Sequence, residues 1–411
     1  DTDTMIRKYT SNVLEFRMGG QDLIRFDGNN GQVFIENANL VLDSGKSVSG
    51  SSSSTGSFGT LRLKNRVMIG EFGNSNFIFA REGDQPFGGG SSNIGIGNDV
   101  LGDQNATTGD NNIAMGERAL RYVSSGDSNI AIGGKALNFV TSTDGNIGIG
   151  FFAGHYMRGG TDNIFIGRYS GFGGVEVSPY TSVNYNIGIG FKALHEVLTS
   201  GNVGIGYEAG FYASSGSSNT FIGYQSGKGS SSAPYSTGGS NTFIGAGAGK
   251  DFTTGYGNTA VSVNSLESVT EGFYNIGIGP SAGGSITTGD YNIAIGYAAF
   301  DAATTAGSTI AIGYAALSAY THAENSFNVA IGTQTAYLKT SGRFNTYIGG
   351  YKVADADLTG QYNAYFGSYT NQYGTATDNT TLIGYSAGRY ATGSRNTFVG
   401  MEAGKGTTSS A

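Results

Sequence analysis

The chain has no cysteine and no tryptophan, only 4 prolines and 3 histidines, and charged residues make up just 13 % of its 411 positions. Without cysteine there are no disulfides, no thiolate nucleophile and no Cys-ligated zinc. That absence fixes no compartment, because a long β-stack needs no staples. So few prolines exclude a collagen helix, which also demands Gly at every third position. No window approaches the roughly 20 apolar residues of a membrane-spanning helix, and the opening DTDTMIRKYTSN lacks the apolar core of a signal peptide. No membrane insertion is expected. The first residue is not Met, as expected of a fragment or a processed product. Against 30 acidic residues stand 23 basic ones, with no basic stripe, so nothing supplies the phosphate neutralisation that nucleic acid demands. A nucleic-acid partner is not expected.

What the chain has instead is glycine, 71 residues of it, among regularly placed Ile, Val, Phe and Tyr. Unstructured Gly/Ser-rich segments lack such regularity. The phrase SGDSNIAIGGKAL at 125–137 returns as TGDYNIAIGYAAF at 288–300 and as NSFNVAIGTQTA at 325–336. Aligned on the closing position, eighteen copies run from Gly97 to Gly400, with Ser262 once in place of Gly, and ten of the seventeen intervals are 17 residues. A fixed period of this size predicts a solenoid in which each unit buries its apolar face against its neighbours.

Four residues before the closing position stand Asn93, Asn112, Asn129, Asn146, Asn163, Asn186, Asn202, Asn219, Asn241, Asn258, Asn275, Asn292, Asn328, Asn345, Asn363 and Asn396, with Thr309 and Thr380 in the other two copies. Apolar residues then alternate, as with Ile130 and Ile132 around Ala131, which reads as a five-residue strand of period 2. Three residues after the Gly comes a small residue such as Ala136 or Ala193, then commonly Leu or Gly, then a polar turn. The expected fold is all-β, a parallel β-solenoid or β-roll of about eighteen coils; at about 4.8 Å per coil the stack is roughly 85 Å long. Stacked Asn side chains donate and accept along a ladder and cover the backbone groups at the coil corner. The Gly permits φ > 0 or close approach at the following bend.

Residues 1–90 lack the period and read as a separate amino-terminal β region, with short strands VLEFRM (13–18), DLIRF (22–26), QVFIE (32–36), NLVLD (39–43), TLRLK (60–64) and NFIFAR (76–81). A Ser/Gly-rich stretch at 44–59 reads as an exposed linker, 91–404 as the shaft and 405–411 as a tail. A 17-residue coil with an interior of Ala, Gly and Ile encloses little, so one apolar side of a single chain is expected to need covering by identical chains. The hexapeptide β-helix, with its 18-residue coil and sixfold inner repeat, is not found.

The phrases NIAIGGKAL, NIAIGYAA and NVAIG resemble the Asn-x-Ala-Ile-Gly repeats of trimeric autotransporter adhesin heads, which implies a left-handed, homotrimeric β-roll. Similar repeats occur in phage tail fibres, and FDGNNGQVFIENANLVLDSGKSVSGSSSSTGSFG resembles the connecting regions of such fibres. The period here is 17 with insertions, longer than the adhesin repeat. The resemblance implies a virion tail-fibre shaft whose partners are its own copies, other tail proteins and a host cell-surface receptor, a glycan or an outer-membrane component. A bacterial trimeric surface adhesin is the alternative. A monomeric solenoid binding ice or glycan is the second alternative, although a flat Thr-x-Thr array is missing.

Candidate chemistry is sparse. Asp110, Asp127, Asp144 and Asp290 precede the Asn by two residues, and Asx-turn capping is favoured there over a calcium column. His155 and His195 both lie five residues after a closing Gly, and turn histidines are expected rather than a metal ring. Aromatics follow the Gly at Phe151, Phe191, Tyr207, Tyr224, Tyr297, Tyr314 and Tyr385, a structural stripe or a stacking platform for sugars. Insertions in the two longest intervals centre on Pro179 and Tyr180 and on Pro234 and Tyr235, and are the candidate receptor-contact loops. Glu176, Glu196 and Glu208 are the nearest approach to a hydrolytic carboxylate pair, but no catalytic motif is present. No enzyme activity, cofactor or metal is expected.

Overall fold

A computed structural model describes residues 4–10, 13–18, 21–27, 32–35, 61–63, 67–72, 76–80, 90–101, 108–173, 183–231, 236–323, 325–375 and 378–407. The chain forms two compact units, Asp1–Gly56 and Ser57–Ala411. The first is an antiparallel meander of β1 (Thr4–Thr10), β2 (Val13–Met18), β3 (Gln21–Asp27) and β4 (Gln32–Ile35), each strand paired with the next. The 44–59 stretch and the 39–43 strand expected from the sequence lie outside the described residues.

The second unit opens with β5 (Leu61–Leu63), β6 (Val67–Phe72) and β7 (Asn76–Ala80), paired antiparallel in turn. β7 then pairs in parallel with β8 (Ile94–Gly97), and every later strand to β25 (Thr397–Val399) pairs in parallel with the one before it. The unit is thus an all-β parallel solenoid, with no helix among the described residues. The parallel sheet reaches back past residue 91, because Asn76 stands 17 residues before Asn93 and Ala80 takes the closing position. Most coils are 17 residues, so equivalent residues stack in register: Ile130, Ala131 and Ile132 oppose Ile147, Gly148 and Ile149.

The strands are three residues long in most coils because the chain must turn at once. Gly133 takes φ 128°, and Lys135 and Leu137, two and four residues later, take the left-handed φ values 58° and 46°. A Cβ on Gly133 would lie 2.6 Å from the Gly150 carbonyl oxygen, which explains the residue directly: two coils approach there backbone to backbone. Ser262 is the exception, a non-Gly residue at φ 115°. Left-handed residues other than Gly are disfavoured, and they are held here by backbone bonds between coils, as when Leu137 N–H donates to Ala153 O and Lys135 N–H to Glu117 O.

The middle residue of each strand points inward and meets the residue four after the closing Gly. The two are complementary in size. Phe165, Phe221 and Phe243 face Gly171, Gly227 and Gly249, where a Cβ would sit 2.1–2.4 Å from the ring. Conversely Gly148, Gly204 and Gly277 leave room for Leu137, Leu194 and Leu266 from the preceding coil. Ala136, Ala153, Ala193 and Ala209 complete an interior that is fully buried within one chain. Close packing of this kind is what holds each coil on its neighbour. The single chain therefore fills its own interior, and what it leaves uncovered is the outer face of the strands.

Candidate functional site

Two repeated features occupy the strand side of the solenoid. The first is a buried ladder of asparagine. Asn129 N–H donates to Asn112 Oδ1 at 2.9 Å and Asn146 N–H to Asn129 Oδ1 at 3.0 Å, while Asn112 Nδ2 donates to Gly126 O at 2.8 Å and Asn129 Nδ2 to Thr143 O at 2.8 Å. One carboxamide thus satisfies a donor and an acceptor of the next coil, on either side of the corner that precedes the strand. Buried backbone groups need such partners. Thr309 and Thr380 keep the receiving half, their N–H groups donating to Asn292 and Asn363. Asn396 is half-buried and donates instead to Thr392 O and Gly393 O of its own coil. The ladder also contains Asn76, whose Oδ1 accepts from Asn93 N–H at 2.8 Å. Its signal was the 17-residue spacing to Asn93, obscured by Ala80 in place of Gly.

The second feature is the exposed face itself. The third strand residue points outward in every coil and forms an apolar file from Ile96 through Met115, Ile132, Ile149 and onward to Phe366, Ile383 and Val399. No polar residue interrupts it over eighteen strands. Ile132, Ile244, Ile278 and Ile383 are 37–40 % exposed. The first strand residue makes a parallel file of Ile, Val and Thr with one Ala, broken by no charge.

Aromatic columns border these files. After the closing Gly, Phe191, Tyr207 and Tyr224 stack with centroids 5.3 and 5.1 Å apart, and Tyr297 stacks on Tyr314 at 5.4 Å. A second column, immediately before the Asn, joins Phe327, Phe344 and Tyr362 at 5.2 Å per step, and Tyr274 with Tyr291 at 5.6 Å. The second column was not anticipated, because in the earlier coils the position is mostly Ser or Gly, with Asn111, Asp162 and Tyr185 in the others. Tyr224, Tyr291, Tyr297 and Tyr362 are more than half exposed. Contiguous apolar surface on this scale marks a contact surface rather than a solvated one.

The other candidates resolve differently. The Asp side chains cap across coils, not two residues along their own: Asp127 Oδ1 accepts from Asp110 N–H at 2.7 Å, and Asp144 Oδ1 from Asp127 N–H at 2.8 Å. Among the described residues no group of three or more His, Cys, Asp and Glu gathers as a metal site. His155 and His195 belong to one ring column and are separated by Phe172, which stacks on them at 5.6 and 5.0 Å; Phe211 stacks on His195 at 4.6 Å. His155 Nδ1 lies 3.0 Å from Lys135 O. Burial pushes both imidazoles down to about 4.

Pro179, Tyr180, Pro234 and Tyr235 lie outside the described residues, as does Glu176. Beside the second insertion a groove of about 510 Å³ is lined by Tyr212, Lys228, Ser231, Lys250 and Asp251. Its cations are paired, Lys228 with Glu208 at 2.8 Å and Lys250 with Glu267 at 3.7 Å. Glu208 also accepts from Gln225, so it is committed to surface pairing. No family, curated protein or solved structure matches the chain.

Proposed function

We propose that the chain is a structural, non-enzymatic fibre segment that assembles as three copies through the outer strand face, in left-handed coils, and serves attachment as the shaft of a virion tail fibre. The uninterrupted apolar file from Ile96 to Val399 carries this reading. An apolar file with no polar interruption over eighteen coils, left partly open to water in one chain although the interior is already filled, is accounted for by a partner with the same repeat. Only another copy offers a matching file at the same axial spacing along the whole length. Three is the number that the resemblance to trimeric adhesin heads and phage fibres implies, and that resemblance also supports host attachment and a place on the virion. The Pro-Tyr insertions are the proposed receptor contacts.

The test is the native mass in solution by light scattering against the 42.4 kDa chain. A mass of three chains is expected, and a single-chain mass removes the reading. Binding of the assembled protein to bacterial cells, lost when Tyr180 and Tyr235 are both changed to Ala, checks the attachment role. A carboxy-terminal membrane-anchor barrel in the full gene would move the same assembly to a bacterial surface.

A further inference from the structure

Seven residues beyond the closing position, several coils send a side chain into the core. Val140, Phe252, Val269, Ile286 and Tyr320 fill this column and are fully buried. In the next two coils the same place is held by Lys339, seven residues after Gly332, and by Asp357, seven after the second glycine of Gly349–Gly350. Both side chains are 0 % exposed.

The two groups meet. Lys339 Nζ lies 3.6 Å from Asp357 Oδ1 and donates to Gly360 O at 2.7 Å. Around the carboxyl group, Tyr347 Oη donates to Oδ2 at 2.7 Å, Gly360 N–H donates to Oδ1 at 2.8 Å, and Asn363 Nδ2 reaches Oδ2 at 3.4 Å. Burial lowers the Lys339 pKa against the opposing pull of Asp357, and burial raises that of Tyr347 well above the usual phenol range. An ion pair so placed contributes little to stability, since desolvation of two charges offsets their attraction. A lysine amine whose charge burial disfavours, set beside a carboxyl group that receives several hydrogen bonds, is instead a potential nucleophile beside an activated electrophile.

We propose that Lys339 and Asp357 condense into an isopeptide bond that joins two consecutive coils covalently. Transfer of one proton from the ammonium to the carboxylate gives a neutral amine and a carboxylic acid. The amine attacks Cγ, forming the Nζ–Cγ bond, and Gly360 N–H stabilises the oxyanion on Oδ1. A second proton passes from Nζ to the departing oxygen, with the Tyr347 hydroxyl as the relay. The Cγ–Oδ2 bond breaks and Oδ2 leaves as water. The oxygen comes from Asp357 and both hydrogens from Lys339, so no oxidant, cofactor or co-reactant is consumed.

The product suits the site better than the reactants. An ammonium has three protons to place, and its oxygen neighbours here are Gly360 O and Asp357 Oδ1; an amide nitrogen has one, which Gly360 O accepts. The amide oxygen keeps the Gly360 N–H donor. Both charges vanish from the core, and exclusion of water protects the bond from hydrolysis.

Mass spectrometry of the denatured full-length chain tests this. The expected mass falls short of the sequence by one water, and trypsin fails to cleave after Lys339, releasing a branched peptide that contains both Lys339 and Asp357. A chain of full sequence mass, with an ordinary tryptic peptide ending at Lys339, overturns the proposal whether or not any variant folds. Lys339→Met and Asp357→Ala should each restore the full mass, and Tyr347→Phe should lower the linked fraction.

Discussion

Asn275 Oδ1 accepts two hydrogen bonds from Asn292, one from its backbone N–H at 3.0 Å and one from its side-chain Nδ2 at 3.0 Å. Asn275 Nδ2 meanwhile donates to Gly289 O at 2.7 Å, three residues before Asn292. Asn275→Ala therefore strands a buried donor and a buried acceptor of the following coil. At roughly 1–3 kcal/mol for each of the two orphaned groups, the expected loss is about 2–6 kcal/mol, read as a lower urea midpoint. Asn396→Ala, whose bonds are to exposed carbonyls of its own turn, should cost much less.

Ser262 bears the strain that glycine avoids at the closing position. Its φ of 115° should cost about 1–3 kcal/mol for a residue with a Cβ, against roughly 0.5–1 kcal/mol of extra chain entropy for Gly. Ser262→Gly is expected to raise the thermal midpoint. The reverse change, Gly206→Ala, brings a Cβ to 2.5 Å from Gly223 O and should lower the midpoint severely.

The outer face can be tested without touching the interior. Ile205→Lys with Ile278→Lys places two charges in the apolar file; Ile278 is 40 % exposed and Ile205 half-buried. The single chain tolerates the pair, so circular dichroism should be unchanged. In the proposed assembly of three copies, the pair should bring the solution mass down to one chain, because an unpaired charge buried at an interface is costly.

Acid should weaken the fold through the ring column. His155 and His195 titrate near 4 in the fold, chiefly because burial disfavours the charged ring, against 6.5 when free. Below pH 6.5 the unfolded chain binds protons that the folded chain refuses. Stability present above that pH is therefore lost as pH falls from 6.5 towards 4. Urea midpoints at pH 7, 5.5 and 4.5 should decline. His155→Phe with His195→Phe, which continues the Phe172 and Phe211 stack, should flatten the decline.

The spacing of Asn to Gly made the coil, its parallel register and its buried corner legible, because the repeat forces equal residues to stack. The direction of the Asp caps was not legible. Asx geometry suggests a bond two residues on, whereas Asp127 and Asp144 reach the preceding coil, a partner that only the stack brings close. The trade of Phe165 against Gly171 and of Leu137 against Gly148 was likewise hidden, since each pair is set by volume across the interior rather than by position along the chain. Nothing in the repeat phrase marks Lys339 and Asp357, and only the column counted from Gly332 and Gly350 puts them inside. The candidate receptor-contact insertions at Pro179–Tyr180 and Pro234–Tyr235 stand out in the sequence only as departures from the period, and lie outside the described residues.

In-register pairing also makes the length of this unit a quantised trait. Deleting one whole 17-residue period between Ile276 and Ile310 brings Ile against Ile, Ala or Gly against Ala, and Asn against Asn or Thr, so every ladder reseals. A residue more or less falls to the turn, as where the 16-residue step from Ile187 to Val203 and the 18-residue step from Thr346 to Ala364 keep the same inward and outward register. A gene that encodes such a chain can shorten or extend the stack by unequal recombination between copies, one whole strand at a time, while changes of single codons are taken up in the turns between strands.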